Sequence, residues 1–435
     1  MSILIFILLT FVSFLSIRFL LSSFIVSSYS LNHTQKIRFE GTEFFWIFIF
    51  STSLLALQDS SFGIDMMAIR LLFIEALCLF AIFLSKRKPI LSISEILYFL
   101  FVIWMIIGCS YSSSPFYGLR VILKYLYPII VLLTASSIVR YDETVLKACV
   151  NLRLFAIIAY ILCFLLAFFS IYITAIFWTR TAMAIHFITI TIFSLAVFYH
   201  CGYDKKDLFL AIIFVIPCLS WVFRTSIIGN TLALVIFFFF RYRIKSIPFA
   251  SVILIAFISI IFFVPSVREK MFNTNNITIQ DFQDNKISKD DIDSNGRFAM
   301  WEWSLNKFYN DNEIIGAGTG NLQNIFYNSQ HPFLPIKICH NDYVQILCDN
   351  GLVGLILFGS SALFIIIHCF TIYQNKKHSI MCRVCSITAG ASLAGMLVCM
   401  YTDNVVNYSM CTLSIPYGFY GMMLGLINKE TQNAI

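Results

Sequence analysis

Long apolar runs alternate with short polar connections along almost the whole chain. The runs reach ~16–26 residues, the length a helix needs to cross a ~30 Å hydrocarbon core. They predict spans at about 2–26, 43–57, 66–85, 95–109, 119–138, 153–177, 181–200, 208–222, 226–240, 247–265, 351–372, 384–402 and 410–427. The fold class expected is therefore an all-α polytopic membrane protein with about 12–14 transmembrane helices. Strands of a transmembrane β-barrel would show ~10-residue segments of alternating polarity instead. Arg18 interrupts the first run, which has no basic leader and no small-residue cleavage site, so 2–26 reads as a retained span.

One segment breaks the pattern. Residues 266–342 form a long polar connection between two spans. Within it, 273–296 is rich in Asn, Asp, Lys and Gln and reads as a linker. Residues 297–310 read as a helix, with Arg297, Trp301 and Leu305 on one face, Ser294 or Asn295 as cap, and Trp301 and Trp303 suited to the membrane interface. Gly316, Gly318 and Gly320 follow, in Gly-Ala-Gly-Thr-Gly, and the segment ends in His340-Asn341-Asp342-Tyr343. The expected organisation is N-terminal transmembrane helices over 1–200, a core over 201–402 that includes the polar connection, and a C-terminal helix and tail over 403–435.

Composition agrees. The 435 residues are 59% hydrophobic and 12% charged, where soluble domains carry roughly 25% charge. The net charge of +7 would raise nucleic acid as a partner in a soluble protein. Here the basic residues gather at span ends, and no basic stripe with interleaved aromatics exists, so no nucleic-acid partner is expected. The 13 cysteines sit mostly inside apolar runs as small hydrophobes. Cys382 and Cys385 form a C-x-x-C without a second pair, which speaks against a metal or redox centre.

The basic residues also set sidedness. Alternate connections hold Lys36 and Arg38, Lys86 to Lys88, Arg140, Lys147 and Arg153, Lys205 and Lys206, Arg241, Arg243 and Lys245, Lys376, Lys377 and Arg383, and Lys429 in the C-terminal tail. By the positive-inside rule these face the cytoplasm, and the polar connection faces outward, to the periplasm of a bacterium. Arg180 and Arg224 then stand out, each in a short outer connection, with Arg120 and Lys124 near the outer end of another span. Each could snorkel to lipid headgroups. Together with Arg297 and His340 they fit a shared anionic ligand, since a guanidinium fork matches phosphate oxygens.

His340 is the candidate base, the side chain best poised for proton transfer near neutral pH. The alternative is an interfacial histidine bonded to a loop carbonyl. His331 and His186 read as packed residues. His340, Asp342 and Asp349 could supply metal ligands, but the connection has no H-x-x-x-H or D-x-D, so metal-independent chemistry is expected. The glycine run lacks a preceding strand and a lysine, so it reads as a tight turn that brings backbone near substrate or His340 and not as a nucleotide loop. Glu75, alongside Arg70, and the group Asp403, Asn404 and Asn407 are polar residues at membrane depth or at a span end, and so are functional candidates by default. Glu75 could equally pair with Arg70 or Arg120.

In order and spacing, three motifs resemble the O-antigen ligase and O-antigen polymerase superfamily of bacterial polysaccharide assembly. They are Trp221-Val-Phe-Arg224-Thr-Ser, Gly296-Arg297-Phe-Ala-Met-Trp301 followed by the glycine run, and His340-Asn341-Asp342-Tyr343 with Asp349-Asn350-Gly351-Leu352-Val353-Gly354. The likeness is strongest over about 205–400. It implies a GT-C-like inner-membrane glycosyltransferase with no cofactor, acting on an undecaprenyl-pyrophosphate-linked oligosaccharide. By the same resemblance, Arg224, Arg297 and more weakly Arg180 would bind the donor pyrophosphate. His340 would engage the acceptor hydroxyl, with Asn341, Asp342 and the three glycines supporting. Phe223 stands where many relatives have serine, and the segment after Arg180 lacks the expected glycine and asparagine. Polymerase is the favoured activity, for lipopolysaccharide O-antigen or for a capsule or exopolysaccharide. Ligase is the alternative, and a chain-length regulator is a candidate partner. A flippase or other transporter is the reading from another class, but no internal repeat or pair of broken helices supports it.

Overall fold

The computed structural model describes residues 66–84, 89, 91–139, 142–161, 180–220, 223–272, 280–281 and 295–432. Among them there are helices and turns and no β-strand. The helices are α1 (Met66–Leu84), α2 (Ile93–Ser110), α3 (Pro115–Ile138), α4 (Asp142–Tyr160), α5 (Arg180–His200), α6 (Lys205–Ser220), α7 (Arg224–Tyr242), α8 (Ile247–Phe263), α9 (Pro265–Met271), α10 (Arg297–Phe308), α11 (Asn321–Tyr327), α12 (Asp342–Gln374), α13 (Ile380–Thr402) and α14 (Ser414–Gln432). Six helical stretches within this set are long and apolar enough to cross a membrane: 93–110, 115–138, 181–200, 224–263, 342–374 and 380–402. The protein is an all-α polytopic membrane protein, as its hydropathy predicts. The expected spans 2–26 and 43–57 lie outside the described residues.

Helix α13 is the hub. It packs against α7, α12, α14 and α5, and its sequence explains why. Ser386, Ala389, Gly390, Ala391, Ser392, Ala394 and Gly395 give it a small-residue surface that lets neighbouring backbones approach closely. At the crossing with α7, a Cβ on Gly395 would lie 2.5 Å from the Gly229 carbonyl oxygen. That crossing sits about one turn from the N-terminus of α7 and fixes where Arg224 begins. Helix α8, by contrast, packs mainly along α7 and leaves Val252, Leu254 and Ile255 exposed as a lipid-facing surface.

The bundle has two polar ends, and hydrogen bonds tie each together. At one end Lys124 reaches Asn407 at 2.7 Å, and the Ser112 and Ser113 hydroxyls reach Asn321 at 2.9 and 2.7 Å. At the other, Arg241 bonds Tyr203 at 3.1 Å, Arg243 bonds Gln374 at 2.9 Å and Ser379 bonds Asp142 at 2.8 Å. These pairings follow the alternation of loops that the charge pattern predicts.

Three span boundaries differ from expectation. The run expected from 153 belongs to a helix that starts at Asp142. Arg153 is therefore not a loop residue: it is buried in α4 and bonds Asp207 at 2.6 Å, where pairing compensates the loss of water around both charges. The span expected from 351 extends back to Asp342 through a break at Gly351, whose φ of 64° and ψ of −165° are non-helical. The last helix starts at Ser414, where a span was expected from 410, and it is not among the six apolar stretches above; 403–413 folds into the bundle as a buried connection with a 3₁₀ turn over Val405–Tyr408.

Candidate active site

The polar connection folds onto the first turns of α12 around a small core of its own, which includes Met300, Trp301, Phe308, Leu322, Phe326 and Val344. This core draws in Trp301, which is 8% exposed and is not a membrane-interface anchor as its sequence context suggests. Burial against these apolar neighbours outweighs a place among headgroups. Its indole N–H donates to the Cys339 carbonyl at 2.9 Å. The cap of α10 is Gly296, in the left-handed region at φ 73°, rather than Asn295; Ser294 lies outside the described residues.

Arg297 stands one turn before Trp301, so both occupy one face of α10. Its guanidinium donates to the carbonyl of Thr402, the last residue of α13. The same residue meets α7: the Thr402 and Thr225 hydroxyls lie 2.8 Å apart, and the Cys399 thiol donates to the Thr225 carbonyl at 3.3 Å. Arg224, half-buried, directly precedes Thr225 at the start of α7. The two arginine-bearing helices thus abut one residue.

His340 meets the next one. Its Nδ1 lies 3.1 Å from Asp403 Oδ1, with the histidine side chain 27% exposed and the aspartate 7%. Asp403 also accepts the Asn404 backbone N–H at 2.8 Å, and the His340 backbone N–H donates to the Asn404 side-chain oxygen. The Asn404 amide in turn donates to Asp342 Oδ1 and to Gln345 Oε1, each at 3.1 Å. Asp342 accepts the Val406 N–H at 3.2 Å, and Asn341 caps α12 by accepting the Val344 N–H at 3.0 Å. His340 itself adopts φ 53°, turning the chain between the Trp301 clamp and this cap. A carboxylate can only accept, so Nδ1 carries the proton and Nε2 is left as the basic nitrogen. Cys339, next to it, is no rival nucleophile, because burial pushes its thiol well above the ordinary range.

Gly316, Gly318 and Gly320 all have positive φ, at 76°, 108° and 90°. Their close backbone approaches are to Asp349 and Asn350, to Ser112 and to Gly118, not to His340. The buried Asp349 carboxylate accepts the N–H groups of Gly320 and Leu322, each at 3.0 Å. The glycine run docks the connection onto the α12 break and the turn between α2 and α3, and so supports His340 at one remove.

Arg180 begins α5 at the same end of the bundle. His186 is buried and bonds the Cys411 carbonyl at 2.7 Å. His331 packs on Phe326 with ring centroids 4.4 Å apart and accepts the Phe333 N–H. Both histidines are structural. Glu75 is buried, and its Oε1 has no hydrogen-bond partner among the described residues. No three His, Cys, Asp or Glu side chains group as a metal centre among those residues.

The pairing of Asp403 with His340 is what the sequence did not reveal. Asp403, Asn404 and Asn407 could be singled out as polar residues at a span end, but nothing joined them to a histidine 63 positions earlier. The usable signal was that the charge pattern puts both connections at one end of the bundle.

Residues 208–359 match the family model described as O-antigen ligase. The matched segment carries Arg224, Arg297, the glycine run and His340; Asp403 and Asn404 lie beyond it. No curated protein gives a significant match to the chain.

Proposed function

We propose, from the match of residues 208–359 to the family model described as O-antigen ligase, that the protein is an inverting membrane glycosyltransferase that polymerises lipid-linked oligosaccharide repeats. The observation that carries this reading is the placement of a His–Asp pair, His340 and Asp403 at 3.1 Å, one residue from the carbonyl that holds Arg297.

The chemistry follows from that order. Arg297 and Arg224 would grip the pyrophosphate of an undecaprenyl-linked donor, and Arg180, at the start of α5, is a third candidate. His340 Nε2 accepts the proton of an acceptor hydroxyl as that oxygen attacks the anomeric carbon from the face opposite the pyrophosphate. The bond from that carbon to the phosphate oxygen breaks, and its electron pair leaves with undecaprenyl pyrophosphate. The arginines stabilise the charge that grows there. Asp403 holds the imidazole in its useful tautomer and stabilises the imidazolium. No step calls for a metal. The site would face the periplasm from the bacterial inner membrane, by the bias of basic residues to the opposite end, and a chain-length regulator would act beside it.

The test is the lipopolysaccharide banding of a deletion strain of the native host, with the wild-type or His340→Ala gene restored. Core bearing a single repeat, rescued by wild type only, supports polymerase. Core without repeats, with polymer held on its carrier, makes the protein a ligase. A ladder unchanged by deletion removes lipopolysaccharide as the product, and rescue by His340→Ala removes the histidine as base.

A further inference from the structure

The peptide unit that joins Cys339 to His340 is held at both of its polar ends. Its carbonyl accepts the Trp301 indole N–H at 2.9 Å, and its N–H donates to the Asn404 side-chain oxygen. The two holding side chains come from different elements, α10 and the connection that follows α13. His340 has φ 53°, and a residue other than glycine stays in that region only when its surroundings fix it.

Asn404 reaches His340 a second time, through its own backbone. Its N–H donates to Asp403 Oδ1 at 2.8 Å, the same oxygen that lies 3.1 Å from His340 Nδ1. One residue thus holds both the backbone of the histidine and the carboxylate that orients its ring. The Asn404 amide is itself keyed. The residue is 1% exposed, and its side-chain nitrogen donates to Asp342 Oδ1 and Gln345 Oε1, each at 3.1 Å. Asp342 Oδ2 accepts the Val406 N–H at 3.2 Å, so both oxygens of that carboxylate act as acceptors. A carboxylate at this place takes the nitrogen of the amide and turns the amide oxygen toward His340.

We infer that Asn404 is the positioning residue for His340, and that only an amide serves there. Aspartate has the same size and could still accept the His340 N–H, but it would set a second carboxylate against Asp342 where an N–H now stands. Alanine would leave the His340 N–H and Asp342 Oδ1 without this partner in a buried place, which costs more than the bond itself is worth. That the positioned histidine is a base rests on the glycosyltransferase reading; that its peptide is held does not.

The test uses the purified full-length protein in two measurements. The first is transfer in proteoliposomes, with kcat and donor KM read separately. Asn404→Ala and Asn404→Asp should each lower kcat by about 10²-fold, the scale of a misplaced catalytic group, with donor KM within about twofold of wild type. Each is then combined with Asp403→Asn and with Arg297→Lys. In the Asp403→Asn background the Asn404 substitutions should cost less than about threefold, because both act through His340; with Arg297→Lys they should cost their full factor, because that site is independent. A merely structural defect lowers the folded fraction and would multiply through both backgrounds alike. Equal cost in both, or no cost in the wild-type background, overturns the assignment. The second measurement is amide hydrogen exchange localised to His340. Asn404→Ala should speed it about fivefold or more, the scale of one hydrogen bond, with the amides of α13 unchanged. Unchanged exchange at His340 also overturns the assignment, whatever the reaction. Wild type that transfers no glycan, with His340 exchange responding as stated, removes the transferase reading and leaves the positioning in place.

Discussion

Trp301 donates its indole N–H to the carbonyl of Cys339, 2.9 Å away, and so clamps α10 onto the residue before His340. The same helix, one turn earlier, sends Arg297 to Thr402 beside Asp403. A single helix thereby sets the distance between the cation that would hold the leaving group and the base that would activate the nucleophile. Trp301→Phe removes the hydrogen bond and keeps most of the packing. It should cost about 1 kcal/mol of stability and lower polymer output more than protein level, as read by a melting curve in detergent beside a gel ladder. Trp301→Ala should cost about 3–5 kcal/mol and deplete the protein from the membrane.

Asp403→Asn keeps the shape of the side chain and removes its charge. An amide can offer either an oxygen or N–H to Nδ1, so the imidazole is no longer held in the tautomer with a basic Nε2. Transfer measured in proteoliposomes should fall on the order of 10²–10⁴-fold, with protein level and α13 packing unchanged. Activity within a few fold of wild type would remove Asp403 from the reaction.

Arg297→Lys and Arg224→Lys retain a positive charge but lose the planar fork. Each should reduce transfer by roughly tenfold or more, and excess donor should recover the loss in part if the defect is in donor binding. The measurement is a donor-concentration series on reconstituted protein.

Much of this was written in the sequence. The apolar runs gave the helices because only a helix satisfies its own backbone in lipid, and connections that the charge pattern groups together, those of Tyr203 and Arg241 and of Arg243 and Gln374, do meet at one bundle end. Arg224, Arg297 and His340 stood out because arginine and histidine are conspicuous at the span ends that the charge pattern reads as outer. What stayed hidden depended on contacts across the fold. Asp403 looked like any polar residue closing a helix until the connection 403–413 folded inward. Trp301 looked like an interface anchor because its burial comes from residues as distant as Val344. The start of α4 was obscured because its first turns are polar, and a buried Arg153–Asp207 pair cannot be seen in a hydropathy profile.

Removal of divalent metal should leave transfer intact. The proposed route neutralises the leaving pyrophosphate with guanidinium groups and moves the proton with imidazole, so no step depends on a Lewis acid. EDTA added to proteoliposomes should change the rate by less than about twofold, a shift smaller than any single catalytic interaction supplies. A loss that Mg²⁺ or Mn²⁺ restores would count against this route.

Gly351 gives the sharpest test of the architecture. Its φ of 64° and ψ of −165° fall in a region that is nearly restricted to glycine. A Cβ there would lie 2.3 Å from the Ile314 carbonyl oxygen, against the segment that leads into the glycine run. The break it makes in α12 lets Leu352 and Val353 donate to the Glu313 and Ile314 carbonyls, at 2.8 and 3.2 Å. Gly351→Ala must therefore push the connection off α12, at a cost of about 1–3 kcal/mol from backbone strain alone. Membrane-embedded protein and polymer should fall together. Gly359, eight residues on in the same helix, has open space around its Cβ position, and Gly359→Ala should be neutral or slightly stabilising, since alanine favours the helix by up to about 1 kcal/mol. Equal tolerance of the two substitutions, judged by quantitative blots of membrane fractions, would mean that the break at Gly351 does not hold the His340 segment in place.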